Sequence, residues 1–233
     1  MPDKHLSARF DNELRVLSSH VLELGGLVEA QTRQAASALA CFDEVAARRV
    51  IANEVRVNRL EIDIDRELNS AIGRRQPKGE DLRLLTAMSR TTAHLERIGD
   101  EAERVARTVD AVLARGGDHT EPARELQLAA ELASGQLRKA LDAFARLDTA
   151  SAAAILKDDQ ALDREFGEFL RRITARMTQE PRAIASGVEL VLAARAIERI
   201  GDHAKNIAEC IIYVVQGADV RHCGTEDVER AIR

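Results

Sequence analysis

The pentapeptide Glu-Arg-Ile-Gly-Asp occurs at Glu96–Asp100 and again at Glu198–Asp202, 102 residues later, a little under half of the 233-residue chain. A repeat that long is a whole bundle copied once, not a short solenoid repeat. The flanks agree too: Leu95–Ala106 (LERIGDEAERVA) matches Ile197–Ala208 (IERIGDHAKNIA), with apolar residues kept where helical periodicity needs them. Helix packing accounts for the apolar matches. The identity of the polar positions needs a separate reason.

Aromatics make up 3% of the chain and there is no Trp; with only 4 Pro and 13 Gly, and with Ala, Leu, Arg and Glu dominant, the composition is that of an all-α protein. Acids and bases are interleaved, 39 against 34, for a net charge of −5. A chain so balanced has no basic field for a phosphodiester backbone and, with so few aromatics, no platform for stacking bases, so nucleic acid is not an expected partner. No apolar run reaches membrane-spanning length and the first residues form no apolar signal region, so a soluble, unexported protein is expected. Cys41, Cys210 and Cys223 are scattered, and the expectation is three small buried apolar side chains.

Apolar steps of three and four predict a first helix over about 7–40, with Gly25-Gly26 weakening its middle. Asp43 caps a second, which Gly73 ends near Ile72; Pro77 and Gly79 form the loop, and a third helix runs from about Asp81 to Ala114. Leu95, Ile98, Ala102, Val105, Val109 and Val112 give that helix a coiled-coil-like seam. ARGGDHTEP, Ala114–Pro122, is the linker. The second unit repeats the plan, with helices over 126–146 and about 150–177 and a last one opened by Pro181. That last helix carries the seam Ile197, Ile200, Ala204, Ile207, Ile211 and Val214. The expected domains are 1–115 and 120–216, two tandem antiparallel three-helix bundles, followed by a polar tail, 217–233.

Glu96 and Asp100 lie about 40° apart on one helix face, a spacing at which two carboxylates can share one ion, and Glu198 and Asp202 repeat the arrangement. Both pairs lie off the seam and point away from it. Like charges at i, i+4 cost a few tenths of a kcal/mol, so two identical copies are either a solvated face or a ligand site. On the second helix Glu54, Asn58, Glu61 and Asp65 form a row at steps of 4, 3 and 4. Their counterparts are Asp159, Asp163, Phe166 and Leu170, so the two sites differ. Oxygen donors of this kind suit Mg²⁺, Mn²⁺ or iron. No Glu stands three residues before any His, which disfavours a ferritin-like di-iron centre. Gly99 and Gly201 sit inside helices at about 1 kcal/mol each relative to Ala, which implies close helix approach or access to the acids. His94 and His203 are read as local hydrogen-bonding residues, and Arg97 and Arg199 as ion-pair partners.

With VNRLEIDID (Val57–Asp65), RRQPKGEDLR (Arg74–Arg83), both ERIGD copies and YVVQGADVRH (Tyr213–His222), the chain resembles the PhoU family from about Ser7 to His222. The resemblance implies two three-helix bundles related by a pseudo-twofold. It also implies surface metal clusters of Fe, Mn, Mg or Zn, with Glu54, Asn58, Glu61, Asp65, Glu96 and Asp100 as ligand candidates in one unit and Asp159, Asp163, Glu198 and Asp202 in the other. It implies a homodimeric negative regulator of the phosphate-starvation response, without enzymatic activity of its own. Such a protein is cytoplasmic, held at the membrane by two partners: the ATPase subunit of the phosphate ABC transporter and the sensor histidine kinase. A metal-dependent enzyme and a purely structural scaffold are the competing readings.

Overall fold

The computed structural model describes residues 8–115, 120–158, 160–221, 223 and 230. The chain is all-α: α1 (Ala8–Cys41), α2 (Glu44–Arg75), α3 (Gly79–Arg115), α4 (Thr120–Arg146), α5 (Thr149–Asp158), α6 (Gln160–Gln179) and α7 (Ile184–Gln216), with a 3-10 turn at Pro181–Ala183. Helices α5 and α6, on either side of residue 159, hold the place expected of one helix. The centre of the linker, 116–119, and most of the tail lie outside the described residues.

The corners show the duplication at atomic detail. Phe42 and Leu147, equivalent at an offset of 105, both adopt the left-handed conformation (φ 52° and 50°). Each is followed by an aspartate whose N–H donates to the preceding helix, Asp43 to Ala38 O and Asp148 to Ala143 O, both at 2.9 Å. The side chains then cap the next helix: Asp43 Oδ1 accepts from Ala46 N at 3.0 Å, and Asp148 Oδ1 from Ser151 N at 3.0 Å. α2 runs past Gly73 to Arg75 and ends on Gln76 (φ 47°), whose N–H donates to Ile72 O. A glycine in a helix costs propensity without stopping it; the stop comes from the left-handed residue that follows. α1 likewise passes unbroken through Gly25-Gly26. A Cβ on Gly25 would run into Leu141, so that glycine lets α1 lie close to α4.

Every residue of both seams is buried. The cores do not stay separate: one apolar cluster runs through both copies, because α3 packs along α7 and α1 along α4. The α3–α7 pair is antiparallel, as successive contacts show: Arg83 Nε to Val214 O, Arg90 over Tyr213, His94 to His203, Arg199 to Glu101 and Arg115 to Glu189. The two ERIGD segments therefore sit side by side at the middle of the molecule, about a local pseudo-twofold near Gly99 and Gly201. Of the cysteines only Cys210 is buried; Cys41, at the last position of α1, and Cys223, in the tail, are exposed, contrary to the expectation of three core residues. No described helix is long and apolar enough to cross a membrane.

Candidate functional site

α3 turns its seam to the core and the Glu96–Asp100 edge toward α2. The acids are consequently not on an open face. Their side chains are 19% and 28% exposed, between Glu61, Asp65 and Asn58, all half-buried, and Glu54, which is 5% exposed. Gly99 eases this approach: a Cβ there would stand 3.1 Å from Val57 Cγ1 and 3.2 and 3.3 Å from the Glu54 carboxylate oxygens. Gln31 of α1 donates from Nε2 to Glu54 Oε2 at 2.5 Å, whereas Glu54 Oε1 and Asn58 Oδ1, a turn apart, have no hydrogen-bond partner. Ser89 Oγ reaches Asp65 Oδ1 at 3.4 Å.

Burial and mutual repulsion set the charge state of this group. Burial first, then the neighbouring Asp100, Glu103 and Glu96, push the Glu54 carboxyl up to about 7, against the opposing hydrogen bond from Gln31. Glu61 is raised by burial and by Asp65, and Glu96 by burial and by Asp100. Arg97 relieves part of this, standing 3.5 Å from Glu96 Oε2 and 3.6 Å from Asp100 Oδ2. A row of half-buried acids raised by one another, with two oxygens unpartnered, fits a cation chemically: positive charge would remove the repulsion and occupy the orphaned acceptors. As placed, no three Asp, Glu, His or Cys side chains among the described residues converge on one metal position.

In the second copy Glu198 and Asp202 of α7 turn toward Asp163 of α6, and Glu198 is raised by burial and by both aspartates while Arg195 pairs with it. Asp159 lies outside the described residues. Where the first site has Glu61, the second has Phe166, whose ring lies 5.9 Å from the Arg195 guanidinium. Gly201 does the work of Gly99. A Cβ there would run into Leu162, the equivalent of Val57, and stand 2.8 Å from Oε1 of Gln136, the equivalent of Gln31. The second site is thus less acidic, with apolar residues in place of two carboxylates.

At the centre of the α3–α7 pair one residue, Glu101, escaped the sequence reading, and His203, expected to bond locally, bonds across to the other helix. Glu101, 2% exposed, accepts from Arg104 of its own helix and pairs with Arg199 of α7 at 2.8 Å. Its counterpart at the 102-residue offset is His203, which meets His94 with Nδ1 atoms 3.3 Å apart. Burial, then His94 and the nearby Arg199 and Arg97, lower His203 to about 4, so the pair is a neutral hydrogen-bonded pair at neutral pH. The only sequence signal was the mismatch of Glu101 with His203 inside otherwise matching flanks.

A family model for the PhoU domain matches twice, at residues 21–109 and 126–211. The chain belongs to the PhoU family. A phosphate-specific transport system accessory protein PhoU homolog of Burkholderia sp. is 44% identical over 98% of this chain and 97% of its own length. The Escherichia coli phosphate-specific transport system accessory protein PhoU is 36% identical over 99% of this chain and 95% of its own. The crystal structure of PhoU from Pseudomonas aeruginosa superposes with a TM-score of 0.86 at 39% identity, covering 90% of this chain and all of that one. That of the phosphate transport system regulatory protein PhoU from Streptococcus pneumoniae gives 0.83 at 25% identity, covering 91% and 99%. For this PhoU-family chain the two domain matches fall on the two copies read from the ERIGD repeat.

Proposed function

We propose that this protein is a regulatory adaptor of the phosphate-specific transport system, a negative regulator of phosphate uptake and of phosphate-starvation signalling and not an enzyme. The observation that carries the reading is identity from end to end with phosphate-specific transport system accessory proteins, 44% over 98% of the chain in one case. Its partners on this reading are the ATPase subunit of the phosphate ABC transporter and the sensor histidine kinase. It acts from the cytoplasm, reaches the membrane through those partners, and works as a homodimer.

The acid rows belong to the same reading. Glu54, Asn58, Glu61, Asp65, Glu96 and Asp100 in one copy, and Glu198, Asp202, Asp163 and Asp159 in the other, are the proposed ligands of iron, manganese, magnesium or zinc. A bound cation supplies positive charge between two helices that otherwise repel. Glu54, held by Gln31, fixes the buried end of the first site, and Arg97 holds the outer acids when the cation is absent. Arg195 does the same for Glu198.

The test is co-purification. The tagged protein, expressed at native level and solubilised gently from phosphate-replete cells, should recover the transporter ATPase and the sensor kinase, and recover less of them from starved cells. Recovery of neither partner in either condition would refute the adaptor reading. Metal-dependent turnover of phosphoesters, abolished by Asp100→Ala, would favour an enzyme instead.

A further inference from the structure

Because α3 and α7 cross about a local twofold near Gly99 and Gly201, the groove between them has two halves built from equivalent positions of the two copies. In one half Arg90 lies over the Tyr213 ring at 5.2 Å and the imidazoles of His94 and His203 meet, so side chains occupy the groove. In the other half the equivalents are Leu192, Ala111, Ala196 and Glu101. There the groove is open, a cavity of about 510 Å³. The two halves of the groove thus differ, one filled by side chains and the other open.

The open half is also charged. Arg104 and Arg107 of α3 and Arg195 and Arg199 of α7 line it, against Glu101 and Glu189, which leaves a surplus of two positive charges in the lining. Arg107 and Arg195 pair in turn with Glu103 and Glu198 of their own helices, so an incoming anion shares their N–H groups. Glu101 is buried beneath the arginines and holds one guanidinium from each helix, Arg199 at 2.8 Å and Arg104 at 3.1 Å. A buried carboxylate that fixes two guanidiniums pre-orients their remaining N–H donors, and each guanidinium carries five. Buried Ala196, half-buried Ala111 and the exposed Leu192 add apolar lining, and the volume leaves room for more than an inorganic ion, within the usual range of small-molecule sites.

We propose that this open half of the α3–α7 groove binds a doubly charged oxyanion of the phosphate type, free or as the head of a small phosphomonoester. The site borders the second acid row, with which it shares Arg195 through its pair with Glu198, and it does not rest on the adaptor reading. The probes are inorganic phosphate and adenosine monophosphate, each titrated calorimetrically into chelator-treated protein. Two variants report on the place. Arg107→Gln/Arg195→Gln removes two exposed donors without touching the core. Ala111→Tyr gives the open half the aromatic ring of the closed one. Saturable binding to the wild type that weakens at least about tenfold in the arginine variant, by loss of two charge-assisted hydrogen bonds, supports the site. Obstruction by Ala111→Tyr places the ligand in the groove. Tighter binding of phosphate identifies the free anion as ligand; tighter binding of the nucleotide identifies an ester. No saturation with either probe in the tens of millimolar, or affinities unchanged in the arginine variant with its thermal midpoint intact, overturns the proposal.

Discussion

Glu54→Gln is the substitution with the most direct physical reading. The carboxyl is 5% exposed, one oxygen accepts from Gln31 and the other has no partner, and its pKa stands at about 7 against 4.5 for an ordinary glutamate. A carboxyl raised on folding contributes fully below about pH 4.5, where both states are protonated. That contribution is lost as pH rises from 4.5 through 7, because the unfolded chain ionises first. Above pH 8 the difference of 2.5 units is about 3 kcal/mol, at about 1.4 kcal/mol per unit. The amide introduced by Glu54→Gln would carry no charge, would still accept from Gln31, and would offer an N–H to the unpartnered Asn58 Oδ1. The variant should therefore exceed the wild type by about 2–3 kcal/mol at pH 8 in urea unfolding with chelator present. At pH 4.5 the two should agree within about 0.5 kcal/mol. Adding Mn²⁺ should stabilise the wild type more than the variant and narrow the gap. A variant less stable than wild type at pH 8 with chelator, or a difference that does not change with pH, would refute the account of Glu54 as a strained acid.

Gly201→Ala should destabilise by about 1–3 kcal/mol, since the clash with Leu162 and Gln136 outweighs the helix propensity gained, while Gly99→Ala, whose nearest neighbour is 3.1 Å away, should be nearly neutral; thermal unfolding of both checks this. Asp43→Ala should cost about 1 kcal/mol through loss of the α2 cap, read by the same unfolding measurement. His203 titrates at about 4 in the folded chain against 6.5 unfolded, so its contribution is fully present above pH 6.5 and is lost as pH falls toward 4. Relative to the wild type, His203→Gln should gain about 3 kcal/mol between those pH values, measured by urea unfolding. A parallel pH dependence of the two proteins would contradict the buried neutral pair.

The fold was legible because its signals are local and repeated. The seams of α3 and α7 and the cap at Asp43 each follow from spacing and residue type, whereas Pro181, expected to open the last helix, begins a 3-10 turn and α7 starts at Ile184. Two features were not legible, for a common reason. Helical angles place Glu96 and Asp100 relative to the α3 seam but say nothing of which helix lies beyond them, so the sequence reading put them outside the core. The structure instead wedges them against α2, with Gly99 as the contact point. Similarly, the single core shared by both copies depends on α3 meeting α7, a long-range contact that no periodicity encodes. Gln31 and Gln136 stand 105 residues apart at equivalent positions, but only the packing of α1 shows that Gln31 holds Glu54.

The claim at the centre of this account is that the duplicated acids hold metal. Elemental analysis of protein purified without chelator or a histidine tag, alongside Asp100→Ala/Asp202→Ala, tests it most directly. The account predicts bound metal in the wild type that falls to background in the double variant with its helical content intact. Equal metal in both, or none in either, would contradict it and leave the acid rows as ion-pairing surfaces between helices.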